Sequence, residues 1–390
     1  MDTEAVDWTG WLDGLHNVAT TLFEDARASG VGFREADAAM KMFGTMMGAY
    51  LSHLSSEPDH PAFLPSAGYY SMYGSPNPDA VYRSALIDGA GQYLITGRRG
   101  TAPEVTIMPF GAPSPKGMET FTPFDLAELA LDKDGRFEVI LSEKRPENTQ
   151  NWWPLEPGMR SLMLRSVSSD WAAHTDPVLA IVRLDVDPRR ERISTEALRQ
   201  RLNSFAHVVE AMIKSGINRV VQLRSEDIVN RVVTVDYASA GGLRDQWYQE
   251  GCFALEDDEA LMVEVNVLEA CRGFSLSLTD AFFSTLDWAN AQSSLNDRQA
   301  ARDSDGVLRI VVGSSDPGAQ NWLDTIGHQF GVLQFRWSGG DQAPRILVKK
   351  ISLASILGEG LPRSMARVSA SERAAAIRER QIGAQLRSLW

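Results

Sequence analysis

The sequence predicts an α+β protein with a mostly antiparallel β-sandwich or barrel at its centre, an N-terminal helical arm and a C-terminal helix. Three features carry this expectation. Apolar residues recur at helical spacing near the N-terminus, short β-prone runs fill the middle, and a capping signature precedes the last 20 residues.

Within residues 7–26, Trp8, Trp11, Leu15, Val18 and Leu22 fall three and four apart, which marks one apolar helical face. Within 33–55, Ala36, Met40, Phe43, Met47, Tyr50 and Leu54 keep the same period and are expected to form a core-facing stripe. Pro58 and Pro61 then stop the helix. From about residue 80, runs such as YLITG, EVTIMPF, RFEVILS, SLMLRSV and VLAIVRLDV are separated by turn residues. A helix is expected at 194–215, opening at Ser194-Thr195-Glu196 and ending near Gly216. A second β-rich block follows with ALMVEVNVL, GFSLSLT, VLRIVVG, GVLQFRW and RILVKKISL. Near the C-terminus Ser369 and Glu372 have capping-box spacing, and Ile382, Leu386 and Leu389 are expected to line one helical face. No repeat of fixed period stands out. The expected organisation is a helical arm at 1–60, a first β-rich half at 61–192, a helical connection at 193–250, a second β-rich half at 251–355 and a helical tail at 356–390.

A chain of 390 residues with 44% hydrophobic and 23% charged residues buries a large core, so wholesale disorder is excluded. The formal charge of −13 opposes binding to nucleic acid or to an anionic membrane surface. No run of about 18 apolar residues is present to span a bilayer. The N-terminus MDTEAVDW lacks the basic and apolar regions of a signal peptide, so a cytoplasmic location is expected. Cys252 and Cys271 form neither a disulfide framework nor a metal pattern. His16, His53, His60, His174, His207 and His328 contain no HxH or HxxxH pair, and EDDE at 256–259 lacks the form of a calcium loop. Dinucleotide, phosphate-loop, zinc-protease and nucleophile-elbow motifs are absent. No cofactor and no metal are therefore expected.

Four segments, NPDAVYRSALIDG with YLITGRRG, NWWPLEPGMRSLMLR with SDWAAHTDP, FALEDDEALMVEVNV, and LDWANAQSSLN through the string DPGAQNWLDTIGHQFGVLQFRW, together resemble the bacterial family catalogued as domain of unknown function 1214. The resemblance spans roughly residues 75–345. It implies a β-sandwich or jelly-roll core with helical additions, in soluble bacterial proteins, some from organisms that degrade steroids and aromatic compounds. It implies no activity. Where an aromatic-rich strand would follow EVNV, this chain has LEACRGFSLSL at 268–278, which points to smaller side chains there.

Asp316-Pro317-Gly318 reads as a turn after a strand. Asp324 and His328 are four apart; on a helical turn they would share a face, the Asp orienting the imidazole as a general base. In NPDAVYRSA, Asn77-Pro78-Asp79 is turn chemistry, and strand alternation puts Tyr82 and Ser84 on one face with Arg83 on the other. The expected catalytic set is therefore His328 or Asp79 as base, Asp324 behind the imidazole, Tyr82 as proton donor and Arg336 as anion stabiliser. Trp152, Trp153 and Trp322 are candidate pocket walls, with Arg83 and the loop residue His60 as further substrate contacts. Each also has a structural reading: tryptophans pin loops, and a strand arginine faces solvent or pairs with a carboxylate. The function these residues suggest is a cofactor-independent lyase or isomerase acting on a hydrophobic aromatic or polycyclic small molecule. The alternative is a non-catalytic small-molecule-binding protein, with a carbohydrate-active β-sandwich hydrolase third. Self-association into a homo-oligomer is left open.

Overall fold

A computed structural model describes residues 6–387 apart from 29, 31, 73, 115–116, 238–240, 244 and 359. Two helices come first, α1 (Trp8–Ala28) and α2 (Glu35–Ala49), the second extended by a π-helical turn at Tyr50–Leu54. The first β-rich region runs through β1 (Leu64–Pro65), β2 (Ala80–Leu86), β3 (Tyr93–Arg98), β4 (Glu104–Ser114) and β5 (Gly117–Thr120). It continues with β6 (Phe124–Asp125), β7 (Arg136–Ser142), β8 (Trp152–Pro154), β9 (Ser161–Val167) and β10 (Val178–Arg183). Helix α3 (Thr195–Ser225) leads to β11 (Val233–Val235), β12 (Gln246–Ala254), β13 (Glu259–Val265) and β14 (Gly273–Thr279). The chain then forms β15 (Ser294–Asn296), β16 (Leu308–Gly313), β17 (Trp322–Asp324), β18 (Phe330–Ser338) and β19 (Ile346–Ser352). Helices α4 (Leu353–Gly358) and α5 (Ala370–Leu386) close it. The protein is α+β, as its patterning indicates.

Each β-rich region is a two-sheet sandwich. In the first, β1-β2-β9-β4-β5 faces β10-β3-β7-β8; in the second, β11-β12-β18-β14-β15 faces β17-β16-β13-β19. Among the described residues, strand pairing is antiparallel except for two short parallel pairs, β7 with β8 and β16 with β17. Alternation supplies each core: Ile95, Val105, Ile107, Val139, Leu162 and Leu164 fill the first, and Leu261, Val263, Leu276, Ile310, Leu333 and Phe335 fill the second.

The sandwiches are topological copies. Strands β1, β2, β3, β4, β7, β8, β9 and β10 hold the places of β11, β12, β13, β14, β16, β17, β18 and β19. The match reaches single hydrogen bonds. Asn151 accepts from Ala130 N and donates to the Ala130 and Glu138 carbonyls, while Asn321 accepts from Ala301 N and donates to the Ala301 and Arg309 carbonyls. Loops of unequal length hide this duplication from any search for a fixed period.

Two helical expectations need correction. On α2 the stripe Met40, Phe43, Met47 and Tyr50 is exposed, and the buried face is Ala38, Lys41, Met42, Thr45, Gly48 and Ala49. Small residues let α2 lie close to α3, where Ala38, Met42 and Ala49 join Leu15, Leu22, Phe205 and Val209 in one cluster. On α5, Ile382 and Leu386 are 58% and 66% exposed, and Leu389 lies outside the described residues. Its buried residues are Arg373, Arg380 and Gly383, with Arg387 buried just beyond its end. The Ser369–Glu372 capping box is present. Helix α3 starts at the expected Ser194 cap but runs past Gly216. That glycine sits against the Phe282 carbonyl, where a Cβ would come within 2.2 Å; it serves close packing, not termination.

Candidate functional site

The polar faces of the two sandwiches meet. On β2 and β9, Tyr82 lies opposite Arg165; on β12 and β18, Tyr248 lies opposite Arg336. Alternation turns these residues away from their own apolar cores. A cavity of about 310 Å³ lies between the sheets, lined by both Tyr–Arg pairs together with Met163, Phe110, Gln334 and the segment Gly241–Leu243.

The two guanidinium groups differ in their bonding. Arg336 donates to Ser277 Oγ at 3.2 Å, to the Ser75 carbonyl at 2.7 Å and to Gln334 Oε1 at 2.5 Å. Gln334 also accepts from the Ser75 hydroxyl and donates to Glu250 Oε1 at 2.5 Å. Glu250 is fully buried and further held by Tyr237 and Arg219. Arg165 lies with its Cζ 5.7 Å from the Tyr82 ring centroid and donates from Nη2 to the Gly241 carbonyl at 3.0 Å. Its Nη1 is buried and has no hydrogen-bond partner among the described residues. A buried guanidinium nitrogen in that state is costly, so it is the group in the cavity most in need of a partner.

The tyrosine hydroxyls are anchored by backbone amides. Asn77 N donates to Tyr82 Oη at 3.3 Å, and Leu243 N to Tyr248 Oη at 2.9 Å. Burial pushes the Tyr248 phenol above its ordinary value, against the pull of Arg165 and Arg336, so it stays a proton donor at neutral pH.

Of the residues singled out in the sequence, Tyr82 and Arg336 share this cavity. Asp79 is buried in the adjoining seam, where its Oδ1 accepts from Trp171 Nε1 at 2.7 Å and Asn296 Nδ2 at 2.6 Å. Burial raises its pKa more than these bonds lower it. Asp79 lines a neighbouring cleft of about 630 Å³ with Glu104, Asp125 and Asp245.

Asp324 and His328 do not share a helical face: Asp324 ends β17, and a turn follows with Ile326 and Gly327 at positive φ. Asp324 Oδ1 accepts from Ile326 N at 2.7 Å and so shapes that turn; burial raises its pKa. His328 precedes β18, and Arg336 lies six residues beyond Phe330 at the start of that strand, about 20 Å along it. His328 and Tyr82 therefore do not converge. The turn at Asp316-Pro317-Gly318 forms as expected, with Asp316 Oδ1 accepting from Gly318 N.

The remaining candidates lie elsewhere. Trp153 stacks on Phe124 in the first core, Trp152 donates to Ser142 Oγ at 3.1 Å, and Trp322 donates to the Gly313 carbonyl at 3.0 Å. All three tie short strands to their neighbours. Arg83 is buried on the core side of β2, where burial lowers its pKa against the field of Asp176. His60 places Nδ1 3.4 Å from Glu57 in the loop before β1.

Sequence reading missed Arg165, Tyr248, Met163, Gln334 and Glu250. The available signal was the echo of LMLR at 162–165 in LQFR at 333–336, and of VY at 81–82 in WY at 247–248.

The family described as protein of unknown function (DUF1214) matches residues 79–170 and 262–337, one segment in each sandwich. These two segments of the chain are similar to that family. The chain is similar in structure to an uncharacterised protein from Burkholderia cenocepacia, with a TM-score of 0.82, 26% identity and coverage of 89% of this chain and 97% of that one. It is also similar to the VPA0106 protein from Vibrio parahaemolyticus, at a TM-score of 0.44 and 13% identity, covering 80% and 98% of the two chains. No curated protein matches the chain. Among the described residues, no helix is long and apolar enough to cross a membrane.

Proposed function

We propose that the protein binds a small organic anion with an apolar body in the cavity between its sandwiches. The observation that carries this reading is the buried Arg165 Nη1, which has no partner among the described residues and lies beside Tyr82 and Tyr248. In a chain of formal charge −13, a cavity holding two guanidinium groups is a local reversal of sign suited to a carboxylate or phenolate. Met163, Phe110 and Val167 supply apolar surface for the body of such a ligand, and about 310 Å³ matches a molecule of one ring.

The lyase or isomerase reading ranks second. Proton abstraction needs a base within hydrogen-bond reach, and the described residues lining the cavity include no aspartate, glutamate or histidine. Tyr248 remains available as a donor, which keeps acid catalysis on a bound enolate or phenolate as the form an activity would take.

Calorimetric titration with benzoate, salicylate, phenol and neutral benzamide tests the proposal. Benzoate or salicylate should bind saturably and benzamide at least tenfold more weakly. Arg165→Ala should weaken the anion at least tenfold, the worth of one charged hydrogen bond. Absence of saturable binding by every compound, or equal affinity in Arg165→Ala, would sink it. Mass spectrometry of the same mixtures reports any product, which would move the reading to an enzyme.

A further inference from the structure

We propose that Met163 sets the specificity of this cavity: its thioether leaves the Arg165 guanidinium open, so that the site takes a ligand with one anionic group. This rests on the reading of the cavity as a ligand site. The duplicated fold provides an internal control. Arg165 lies opposite Tyr82 and Thr106, and Arg336 lies opposite Tyr248 and Ser275, so the two arginines hold equivalent places.

Two residues earlier on the same face stand Met163 and Gln334. Met163 lies opposite Ser84 and Met108, and Gln334 opposite Glu250 and Ser277. Gln334 brings an amide oxygen to Arg336, and Ser277 a hydroxyl, so that guanidinium is bonded within the protein. Met163 and Met108 offer only thioethers, which are weak acceptors. Among the described residues, Arg165 accordingly keeps one bond, to Gly241, and an Nη1 without a partner.

Met163 also makes the wall beside it apolar, together with Phe110. A ligand places its charge on Arg165 and its body against Met163 and Phe110. A second charge on a ligand of that size would meet either this apolar wall or the filled bonds of Gln334, and would lose hydration without a partner. The protein carries an unsatisfied buried group on one side of a near-symmetric cavity and satisfies its twin, a local departure from best stability of the kind found at functional sites.

The test compares wild type with Met163→Gln and Met163→Leu by calorimetric titration of benzoate and terephthalate, and by thermal unfolding without ligand. Wild type should prefer benzoate to terephthalate by at least tenfold. Met163→Gln should lose at least tenfold in benzoate affinity, because its amide occupies Arg165, and should melt about 2 °C higher. Met163→Leu, which offers no acceptor, should keep the preference for benzoate over terephthalate and show none of the rise in melting point. Wild-type benzoate affinity in Met163→Gln, a melting point at or below wild type, or equal affinity for the dianion overturns the role of Met163. Wild type failing to bind benzoate while Met163→Gln melts higher overturns the ligand reading instead, and leaves Met163 as the reason Arg165 is unsatisfied.

Discussion

Burial lowers the Lys41 ammonium from 10.5 to about 8, with Asp280 opposing the shift. Its Nζ donates to Ser284 Oγ at 2.5 Å, and Asp280 Oδ1 accepts from the Phe282 and Ser284 amides. Asp280 is pushed upward by its own burial, tempered first by Lys41. The lysine's sign is worked out from proton counts. Between about pH 8 and 10.5 the unfolded chain holds more protons at this site than the folded one, so stability rises with pH in that window. Asp280 acts oppositely: its raised value means that stability falls as pH climbs from the ordinary carboxylate range through the folded pKa. Urea unfolding at pH 8 and pH 10 should therefore show wild type gaining up to about 3 kcal/mol relative to Lys41→Met across the interval. Parallel pH profiles for the two proteins would contradict the burial of this ammonium.

Helix α5 is held by arginines seven residues apart, which places them on one face. Arg373 reaches Asp316, Gln292 and the Ala319 carbonyl; Arg380 reaches Gln299, Ser294 and the Trp288 carbonyl. Arg387 pairs with Asp176 at 2.6 Å and donates to the backbone carbonyls of Asp79 and Ser166. The helix thus spans both sandwiches through charged bonds while Ile382 and Leu386 face water. Arg387→Ala should cost about 3–5 kcal/mol in urea unfolding, because it strips buried Asp176 of its directly paired guanidinium. Ile382→Ala and Leu386→Ala, both exposed, should stay within about 0.5 kcal/mol. A large loss at Leu386 with none at Arg387 would restore the apolar face that the sequence suggests.

Two sandwiches on one chain would ordinarily unfold as two units. Here the seam between them is built from buried polar bonds that neither half can complete alone. Ser275 donates to Asn77 Oδ1 at 2.7 Å, Asn296 donates to Asp79, and Arg336 donates to the Ser75 carbonyl. Separating the sheets would strand each of these groups, at about 1–3 kcal/mol apiece. Scanning calorimetry should therefore show one transition, with calorimetric and van't Hoff enthalpies in agreement. Two resolved transitions would mean that the seam does not couple the halves.

The fold class, the strand-rich middle and the α5 cap were legible because each depends on local chemistry: alternation, turn residues, and a serine three before a glutamate. The family string was legible for a related reason, since Asn321 and Trp322 make contacts fixed by the parallel strand β17 beside β16. Tyr82 and Arg336 could be named as candidates from residue type and strand position. That they meet is a tertiary fact: 254 positions of chain separate them by number, and only the facing of two duplicated sheets brings them to one cavity. Burial on α2 and α5 was misread because periodicity gives the faces of a helix without saying which faces inward. Small residues won on α2 since they allow close approach, and arginines won on α5 since the surface beneath offers carboxylates and carbonyls. The contrast between Arg165 and Arg336 lay furthest from view, because it depends on what stands two residues away on a neighbouring pleat and whether that side chain can accept a hydrogen bond.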